Sequence, residues 1–214
     1  MNKISLENVI PTIFSDAGEL NSGIWNVYMG FERGNTYLIE AASGKGKSSL
    51  CSYVYGVRND YSGKITFDGK DLKTLPALQW DKIRTSELSF LFQDLLLFGE
   101  LTALENVLLK NNITNTKTLS RIEGMFERLG IADKKDKKTA QLSWGQQQRV
   151  AIIRSLCQPF DFILLDEPVS HLDDENASIA ASLIAEEAAA RDAGIIVTSI
   201  GKQLPLDYSK KIDL

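Results

Sequence analysis

A short loop rich in glycine, serine and lysine constrains this chain more than any other feature of its sequence. The loop occupies residues 43–49, follows an apolar run at residues 36–40 and precedes residues 50–53, which can start a helix. Glycines let the backbone turn its N–H groups inward onto phosphate oxygens, and the start of a helix adds partial positive charge. A strand, loop and helix in this order are typical of a P-loop. The predicted phosphate-binding residues are Ser43, Gly44, Lys45, Gly46, Lys47, Ser48 and Ser49.

Two residues of this loop have separate chemical roles. The Lys47 ammonium is expected to reach the β- and γ-phosphates of a nucleotide, and the Ser48 hydroxyl is expected to bind Mg²⁺. The loop therefore predicts ATP and Mg²⁺ as its ligands. The usual pattern opens with glycine, whereas this chain has Ala41 there. Alanine is compatible with the loop if its backbone stays at negative φ.

Two acidic residues follow a continuous apolar run at residues 162–165. Such a run suits a strand that is buried on both faces. In P-loop ATPases an aspartate at this strand end holds Mg²⁺ through water, and a glutamate after it polarises the attacking water. Asp166 is predicted to take the first role and Glu167 the second.

Hydrophobic periodicity predicts the fold class. Alternation of apolar residues over 25–31 predicts a half-buried strand, and apolar spacing over 122–129 predicts a helix. Residues 162–165 and 195–197 are predicted buried strands. The sequence thus predicts an α/β P-loop NTPase (RecA-like) fold. It has a parallel sheet, an antiparallel N-terminal β subdomain, and an inserted helical subdomain at about residues 94–146.

Length and charge narrow the possible classes. A chain of 214 residues fits a single domain, predicted over residues 1–214. The formal net charge of -4 argues against a nucleic-acid partner, which usually requires a basic surface. No apolar run approaches the ~20 residues that span a bilayer, so a membrane role would depend on a partner. Cys51 and Cys157 are predicted to be buried, reduced thiols.

The segment at residues 142–151 reads LSWGQQQRVA and resembles the signature motif of ATP-binding cassette (ABC) ATPases. Residues 92–94 resemble the Q-loop of that family and residues 170–173 resemble its D-loop. Residues 101–107 are similar to the helical region of the lipoprotein-release and macrolide-export branch. The resemblance covers essentially the whole chain.

This resemblance implies a dimer that closes around ATP. Ser143, Gly145 and Gln146 are then expected to contact the γ-phosphate held by a second ATPase subunit, expected to be another copy of this chain. Gln93 is expected to sense Mg²⁺ and the attacking water. An aromatic residue near the N-terminus stacks on adenine in such proteins. Phe14 is the candidate, with packing in the core as its alternative.

The resemblance also implies a membrane partner and a location. The partner is a transmembrane permease subunit, so the chain is expected in the cytoplasm, peripheral on the cytoplasmic face of the membrane. A groove near Gln93 and residues 95–98 is predicted to receive a cytoplasmic helix of that partner. The alternative is that these apolar residues pack the helical subdomain.

Besides Ala41, two positions depart from the family pattern. Ser199 stands where the family has a histidine that contacts the γ-phosphate, and it is placed with Lys47, Gln93 and Glu167 among the catalytic candidates. Trp144 replaces a glycine of the signature motif. His171, the one histidine of the chain, lies in the D-loop. It is a candidate substitute for the missing histidine or a polar residue of the interface.

Three functions remain open from the sequence. The first is an ATP-hydrolysing subunit of a membrane transporter, which the loop lysine and the two acids favour. The second is a nucleotide-binding regulatory subunit with impaired hydrolysis, which the Ser199, Ala41 and Trp144 departures favour. The third, a DNA-repair or translation factor, would require a long coiled-coil insertion or a second cassette, and this sequence has neither.

Overall fold

The computed structural model describes residues 1–15 and 21–214. This described part contains nine strands and six α-helices. The strands are β1 (Lys3–Pro11), β2 (Tyr28–Glu32), β3 (Thr36–Glu40), β4 (Tyr61–Phe67), β5 (Lys70–Asp71), β6 (Leu88–Leu91), β7 (Phe162–Asp166), β8 (Gly194–Ser199) and β9 (Lys210–Asp213). The helices are α1 (Lys47–Val54), α2 (Ala77–Ser86), α3 (Ala103–Thr114), α4 (Leu119–Arg128), α5 (Trp144–Leu156) and α6 (Asp174–Ala189).

A five-stranded parallel sheet forms the centre of the fold, in the order β6-β7-β8-β3-β9. Every residue of β7 and β8 is buried. Because side chains alternate between the two faces of a strand, Ile163 and Leu165 enter one core while Phe162 and Leu164 enter the other. The predicted buried runs are therefore central strands of a sheet covered on both faces, which confirms the α/β class.

An antiparallel sheet in the order β2-β1-β4-β5 covers the face of the parallel sheet that carries Phe162 and Leu164. We call the apolar cluster on this face the second core. The strand predicted from the alternation over residues 25–31 begins only at Tyr28. Asn26 has a φ of +58°, which is incompatible with a strand. Trp25 is buried, and its Nε1 donates to the carbonyl of Lys45 at 3.2 Å. The apolar residue Trp25, at the start of the alternation, is thus buried beside the glycine-rich loop and is not part of a strand.

The opposite face of the parallel sheet is covered by helices. α3 and α4, followed by α5, lie between β6 and β7 in the chain, which places them where the helical insertion is predicted. The boundary at residues 94–146 stays a prediction, since α5 continues to Leu156 and packs on the sheet.

Both cysteines lie in the interior of the fold. Cys51 and Cys157 are both buried and not joined to each other, which confirms the prediction of buried thiols. Within the part of the chain that the structure describes, no helix combines the length and apolar character required to cross a bilayer.

Candidate functional site

The loop between β3 and α1 has the backbone conformation that its glycines predict. Gly44 and Gly46 have φ values of +78° and +97°, in the region that side chains with a Cβ rarely adopt. A Cβ added to Gly46 would lie 3.1 Å from Trp25 and 3.2 Å from Phe14. Gly46 is also the N-cap of α1 and has no side chain to occupy the first amides of the helix. Those amides therefore suit an anion. Ala41 is not among the residues with positive φ, so it meets the condition set for it.

Lys47 is the first residue of α1 and is almost completely buried. Its Nζ donates to the backbone carbonyls of Ala41 at 2.8 Å and Ala42 at 3.0 Å. Burial lowers the pKa of Lys47, although the carboxylates of Glu167 and Asp166 oppose this shift. The ammonium is thus held within the loop by weak carbonyl acceptors, which a phosphate oxygen can replace with a stronger charge-assisted hydrogen bond.

Three oxygen-bearing side chains could hold Mg²⁺. The Ser48 hydroxyl donates to Oε1 of Gln93 at 3.2 Å, although the two residues are 45 positions apart. Asp166 ends β7, is 3% exposed, and accepts a hydrogen bond from the hydroxyl of Thr198 on the neighbouring strand β8. Hydroxyl, amide and carboxylate oxygens are the donor types that Mg²⁺ prefers. The residues therefore fit this ion.

Glu167 follows directly after β7 and has a φ of +51°, which is uncommon for a residue with a side chain. Its N–H donates to the carbonyl of Thr198 at 3.1 Å, and its carbonyl accepts from Nε2 of Gln148 at 3.1 Å. Burial and the charge of Asp166 raise the pKa of Glu167, while Lys47 and His171 oppose the shift. A carboxylate with a raised pKa is a better proton acceptor, as a general base requires.

Lys47, Ser48, Gln93 and Glu167 line one cavity of about 230 Å³. It is lined by Ile13, Phe14, Ser43, Gly44, Gly46, Lys47, Ser48, Ser49, Gln93, Glu167 and Ile200. Lys45 and Asp166 are absent from this lining, although both adjoin it in sequence. Phe14 lines the cavity and also packs against the second core, as its alternative predicts. Its stacking on adenine stays a prediction.

The signature segment lies outside the lining of this cavity. Ser143 is the N-cap of α5 and forms a capping box with Gln146, in which each side chain binds the other residue's backbone N–H. A Cβ added to Gly145 would lie 2.8 Å from the carbonyl oxygen of His171, so glycine is required for the D-loop to pack here. This separation is the arrangement expected if these residues serve the cavity of a second subunit.

Ser199 is not placed with the other catalytic candidates. It is 1% exposed, and its hydroxyl donates to the carbonyl of Lys202 at 2.6 Å. Ile200, which is 45% exposed, lines the cavity instead. The sequence interpretation assumed that the residue in the histidine position would face the nucleotide. The short serine side chain instead finds an acceptor within its own turn.

The D-loop histidine is also absent from the lining of the cavity. Nδ1 of His171 and the Ser170 hydroxyl are hydrogen-bonded at 2.8 Å, and its ring is 5.4 Å from that of Trp144 in an edge-on arrangement. Its backbone N–H donates to Oε1 of Gln148 at 3.1 Å. His171 therefore joins the signature helix to the D-loop rather than lining the cavity.

Sequence reasoning missed two residues that position the acids. Thr198 orients Asp166, and Gln148 connects Glu167 with the D-loop. Thr198 has a usable signal in the sequence, because a hydroxyl at the end of a buried and mainly apolar strand requires a hydrogen-bond partner.

The residues predicted to form a partner groove divide into two groups. Leu95 is buried in the core and Leu97 packs against it. Leu96 and Phe98 are 52% and 59% exposed and line a separate cavity of about 270 Å³. Packing in the core is confirmed for Leu95 and Leu97, whereas binding of a partner helix at Leu96 and Phe98 stays a prediction.

Comparison with known proteins identifies the family to which the chain belongs. A family model described as ABC transporter matches residues 24–170. The lipoprotein-releasing system ATP-binding protein LolD of Saccharophagus degradans is 34% identical over 176 residues, which cover 81% of this chain and 77% of that protein. The macrolide export ATP-binding/permease protein MacB of Vibrio parahaemolyticus is 33% identical over 164 residues. These cover 75% of this chain but only 25% of MacB.

Solved structures of the bacterial ABC transporter cassette MJ0796 share the fold. Its dimeric structure superposes with a TM-score of 0.77 at 28% identity and covers 91% of this chain and 87% of that one. A dimeric post-hydrolysis state of the same cassette, bound to ADP and Pi, gives a TM-score of 0.75 at 28% identity, with coverage of 92% and 87%. Residues 24–170, which the family model matches, include the P-loop, the signature segment and both Asp166 and Glu167. The chain therefore belongs to the ABC transporter family, as one of its ATPase cassettes.

Proposed function

We propose that this chain binds ATP with Mg²⁺ in the 230 Å³ cavity and hydrolyses it as the ATPase subunit of a membrane transporter. The observation that carries the proposal is the lining of that cavity. It places the P-loop backbone, Lys47, Ser48, Gln93 and Glu167 around one space, although they come from three separate parts of the chain.

Each residue has one step in the proposed reaction. The P-loop amides and Lys47 bind the phosphates. Ser48, Gln93 and Asp166 would hold Mg²⁺, which supplies positive charge beside the phosphate oxygens when bound. A water molecule attacks the γ-phosphorus as the bond to the β-phosphate oxygen breaks, and Glu167 accepts the proton that the water loses. The products are ADP and inorganic phosphate.

A second ATPase subunit completes the site in this proposal. The start of α5 presents the N-cap Ser143 and backbone amides that suit an anion, yet these groups lie outside the cavity of their own chain. The dimeric MJ0796 cassette supports the same assembly here. Two copies of this chain would therefore each offer Ser143, Gly145 and Gln146 to the nucleotide of the other.

A transmembrane permease subunit is the proposed partner, on the cytoplasmic face of the membrane. The exposed Leu96 and Phe98 support this, because contiguous apolar surface usually marks an interaction site. The name of MacB joins an ATP-binding part to a permease, and the name of LolD places it in a lipoprotein-releasing system. We infer that this chain works with a permease.

The test compares Glu167→Gln with Lys47→Ala. Glu167→Gln keeps the shape of the side chain but removes the base, so ATP should bind and trap a dimer that elutes early in gel filtration with Mg²⁺. Lys47→Ala removes a charge-assisted contact worth about 1.5–3 kcal/mol, so ATP affinity should fall roughly 10- to 150-fold. A Glu167→Gln protein that binds ATP and stays monomeric would contradict the dimer. Unchanged affinity in Lys47→Ala would contradict the site.

A second candidate is a nucleotide-binding regulatory subunit with impaired hydrolysis. The observation that favours it is the Ser199 hydroxyl, which donates to the Lys202 carbonyl, so that the residue in the histidine position contributes no polar group to the lining of the cavity. Losing one positioned donor in such a site costs about 10²–10³ in rate. Single-turnover hydrolysis should be slow in the wild type, unchanged in Ser199→Ala and faster in Ser199→His. Rapid wild-type turnover that survives Ser199→Ala would exclude this candidate.

A further inference from the structure

The loop that follows β8 contains a lysine whose ammonium is bound by another segment of the chain. We call residues 200–203 the β8 loop, and its first residue, Ile200, lines the nucleotide cavity. Nζ of Lys202 donates to the backbone carbonyl of Leu172 at 2.6 Å and lies 2.9 Å from Oδ1 of Asp174, the first residue of α6. Leu172 belongs to the D-loop, 30 positions earlier in the chain. Lys202 thus joins the loop beside the nucleotide to the D-loop.

The hydrogen bond from Lys202 to the Leu172 carbonyl contributes more than the ion pair. The Asp174 side chain is 99% exposed, so water and salt weaken the attraction between its carboxylate and the ammonium. The carbonyl is part of the D-loop backbone, and a hydrogen bond from a charged donor is stronger than one from a neutral donor. This hydrogen bond therefore limits how far the β8 loop and the D-loop can separate.

A tight turn at the end of β8 fixes the backbone of Lys202. Its N–H donates to the carbonyl of Ile200 at 3.0 Å, and its carbonyl accepts from the Ser199 hydroxyl at 2.6 Å. Gly201, between them, has a φ of +81°, which glycine adopts without strain. A side chain that leaves a fixed backbone loses less conformational entropy when it binds its acceptor. The turn therefore favours the contact between Lys202 and the D-loop.

The backbone of Glu167 is held between the same two segments, the end of β8 and the D-loop. Its N–H donates to the carbonyl of Thr198 on β8 at 3.1 Å. Its carbonyl accepts from Nε2 of Gln148 at 3.1 Å and from the hydroxyl of Ser170, in the D-loop, at 3.2 Å. The φ of +51° at Glu167 is unfavourable, so it persists only where surrounding contacts impose it. Lys202 closes this ring of contacts, because it binds the D-loop to the end of β8.

We propose that Lys202 is a positioning residue for ATP hydrolysis. Its ammonium holds the D-loop against the end of β8 and thereby keeps Glu167 oriented to accept a proton from the attacking water. This inference rests on the proposed function, which makes Glu167 the base, and it adds a residue that acts only through Glu167. Because the hydrolytic step depends on that orientation and the binding of ATP does not, loss of the ammonium should lower the rate and leave the affinity unchanged.

The experiment measures the single-turnover rate of ATP hydrolysis and the Kd of ATP, both with Mg²⁺, for the full-length chain. Lys202→Met should lower the rate roughly 10- to 100-fold, since a displacement of about 1 Å can cost 10²-fold, and should leave the Kd unchanged. Lys202→Arg keeps the charge and the donors, so it should restore most of the rate. Lys211→Met is the matched control, because Lys211 is exposed and contacts Oε1 of Gln203 in the same loop at 3.2 Å. It should keep the wild-type rate.

A double-mutant cycle distinguishes positioning of the base from a general effect on the fold. In Glu167→Gln the base is absent, so adding Lys202→Met should leave the residual rate unchanged. An equal fall in both backgrounds would overturn the inference, as would an unchanged rate in Lys202→Met alone or an equal loss in Lys211→Met. A rise in Kd that matches the loss of rate would also overturn it, because the ammonium would then bind the nucleotide itself. Wild-type chain that hydrolyses no ATP would overturn the proposed function and this inference with it.

Discussion

Removing the hydroxyl of Thr198 while keeping its shape should destabilise the protein and disturb the Mg²⁺ site. Thr198 and Asp166 are 0% and 3% exposed, and the hydroxyl of the first donates to Oδ1 of the second. Water has little access to either group, so it cannot replace the lost hydrogen bond. Leaving a buried charged acceptor without its donor costs about 1.5–3 kcal/mol. We therefore expect Thr198→Val to lower the free energy of unfolding by this amount.

Thr198→Ser provides the matched control. It keeps the hydroxyl and removes one buried methyl group, which costs about 0.5–1.5 kcal/mol. In a protein of this size, 1 kcal/mol shifts the midpoint of thermal unfolding by roughly 2–4 °C. Thr198→Val should thus unfold about 3–12 °C below the wild type, and Thr198→Ser should lose less.

The assay is thermal unfolding of wild type and both variants at neutral pH, repeated in urea to obtain free energies of unfolding. Titration of ATP with and without Mg²⁺ then reports on the site itself. Thr198→Val should lose more of the Mg²⁺-dependent part of the affinity than Thr198→Ser does, because Asp166 loses its orienting partner. If Thr198→Val is as stable as Thr198→Ser, the hydrogen bond does not hold Asp166, and the reasoning is wrong.

Two further predictions concern titratable groups whose pKa is raised in the folded protein. Burial and the charge of Asp166 raise the pKa of Glu167 in the folded state. The ionised side chain therefore destabilises the folded protein at neutral pH, and Glu167→Gln should be more stable than wild type at pH 7. That difference in stability should disappear below the ordinary pKa of glutamate, about 4.3, because Glu167 is then protonated in both the folded and the unfolded wild type. A difference in stability that is unchanged between pH 7 and pH 4 would contradict the raised pKa of Glu167. Burial raises the pKa of Cys157 to about 12 and that of Cys51 well above its usual value, so neither thiol should react with a thiol-specific disulfide reagent at pH 8 until the protein is unfolded. Rapid labelling of the native protein would show that these helices open readily.

Local patterns in the sequence were sufficient for much of the fold and for the chemical identity of the site. The apolar run at residues 162–165 predicts a strand buried on both faces, and β7 is such a strand. The P-loop was equally visible, because the conformations of Gly44 and Gly46 and the start of α1 depend on residues close together in the chain. Periodicity and glycine placement are local properties, so they survive in a single sequence.

Tertiary structure decided how the side chains of the site are oriented. Thr198 and Asp166 are 32 residues apart and meet only because β7 and β8 are paired. Arg154 donates to the carbonyls of Leu95 and Leu96, which are 59 and 58 residues away in the chain, so these contacts exist only in the folded protein.

The orientation of Ser199, the residue in the histidine position, was also decided by the tertiary structure. Its place at the end of β8 could be read from the sequence, but the direction of its side chain could not. Ser199 turns to the carbonyl of Lys202, while Ile200 lines the nucleotide cavity. A hydroxyl bonds to whichever acceptor the folded backbone brings within about 3 Å, and that choice depends on contacts that have no periodic signature in the chain.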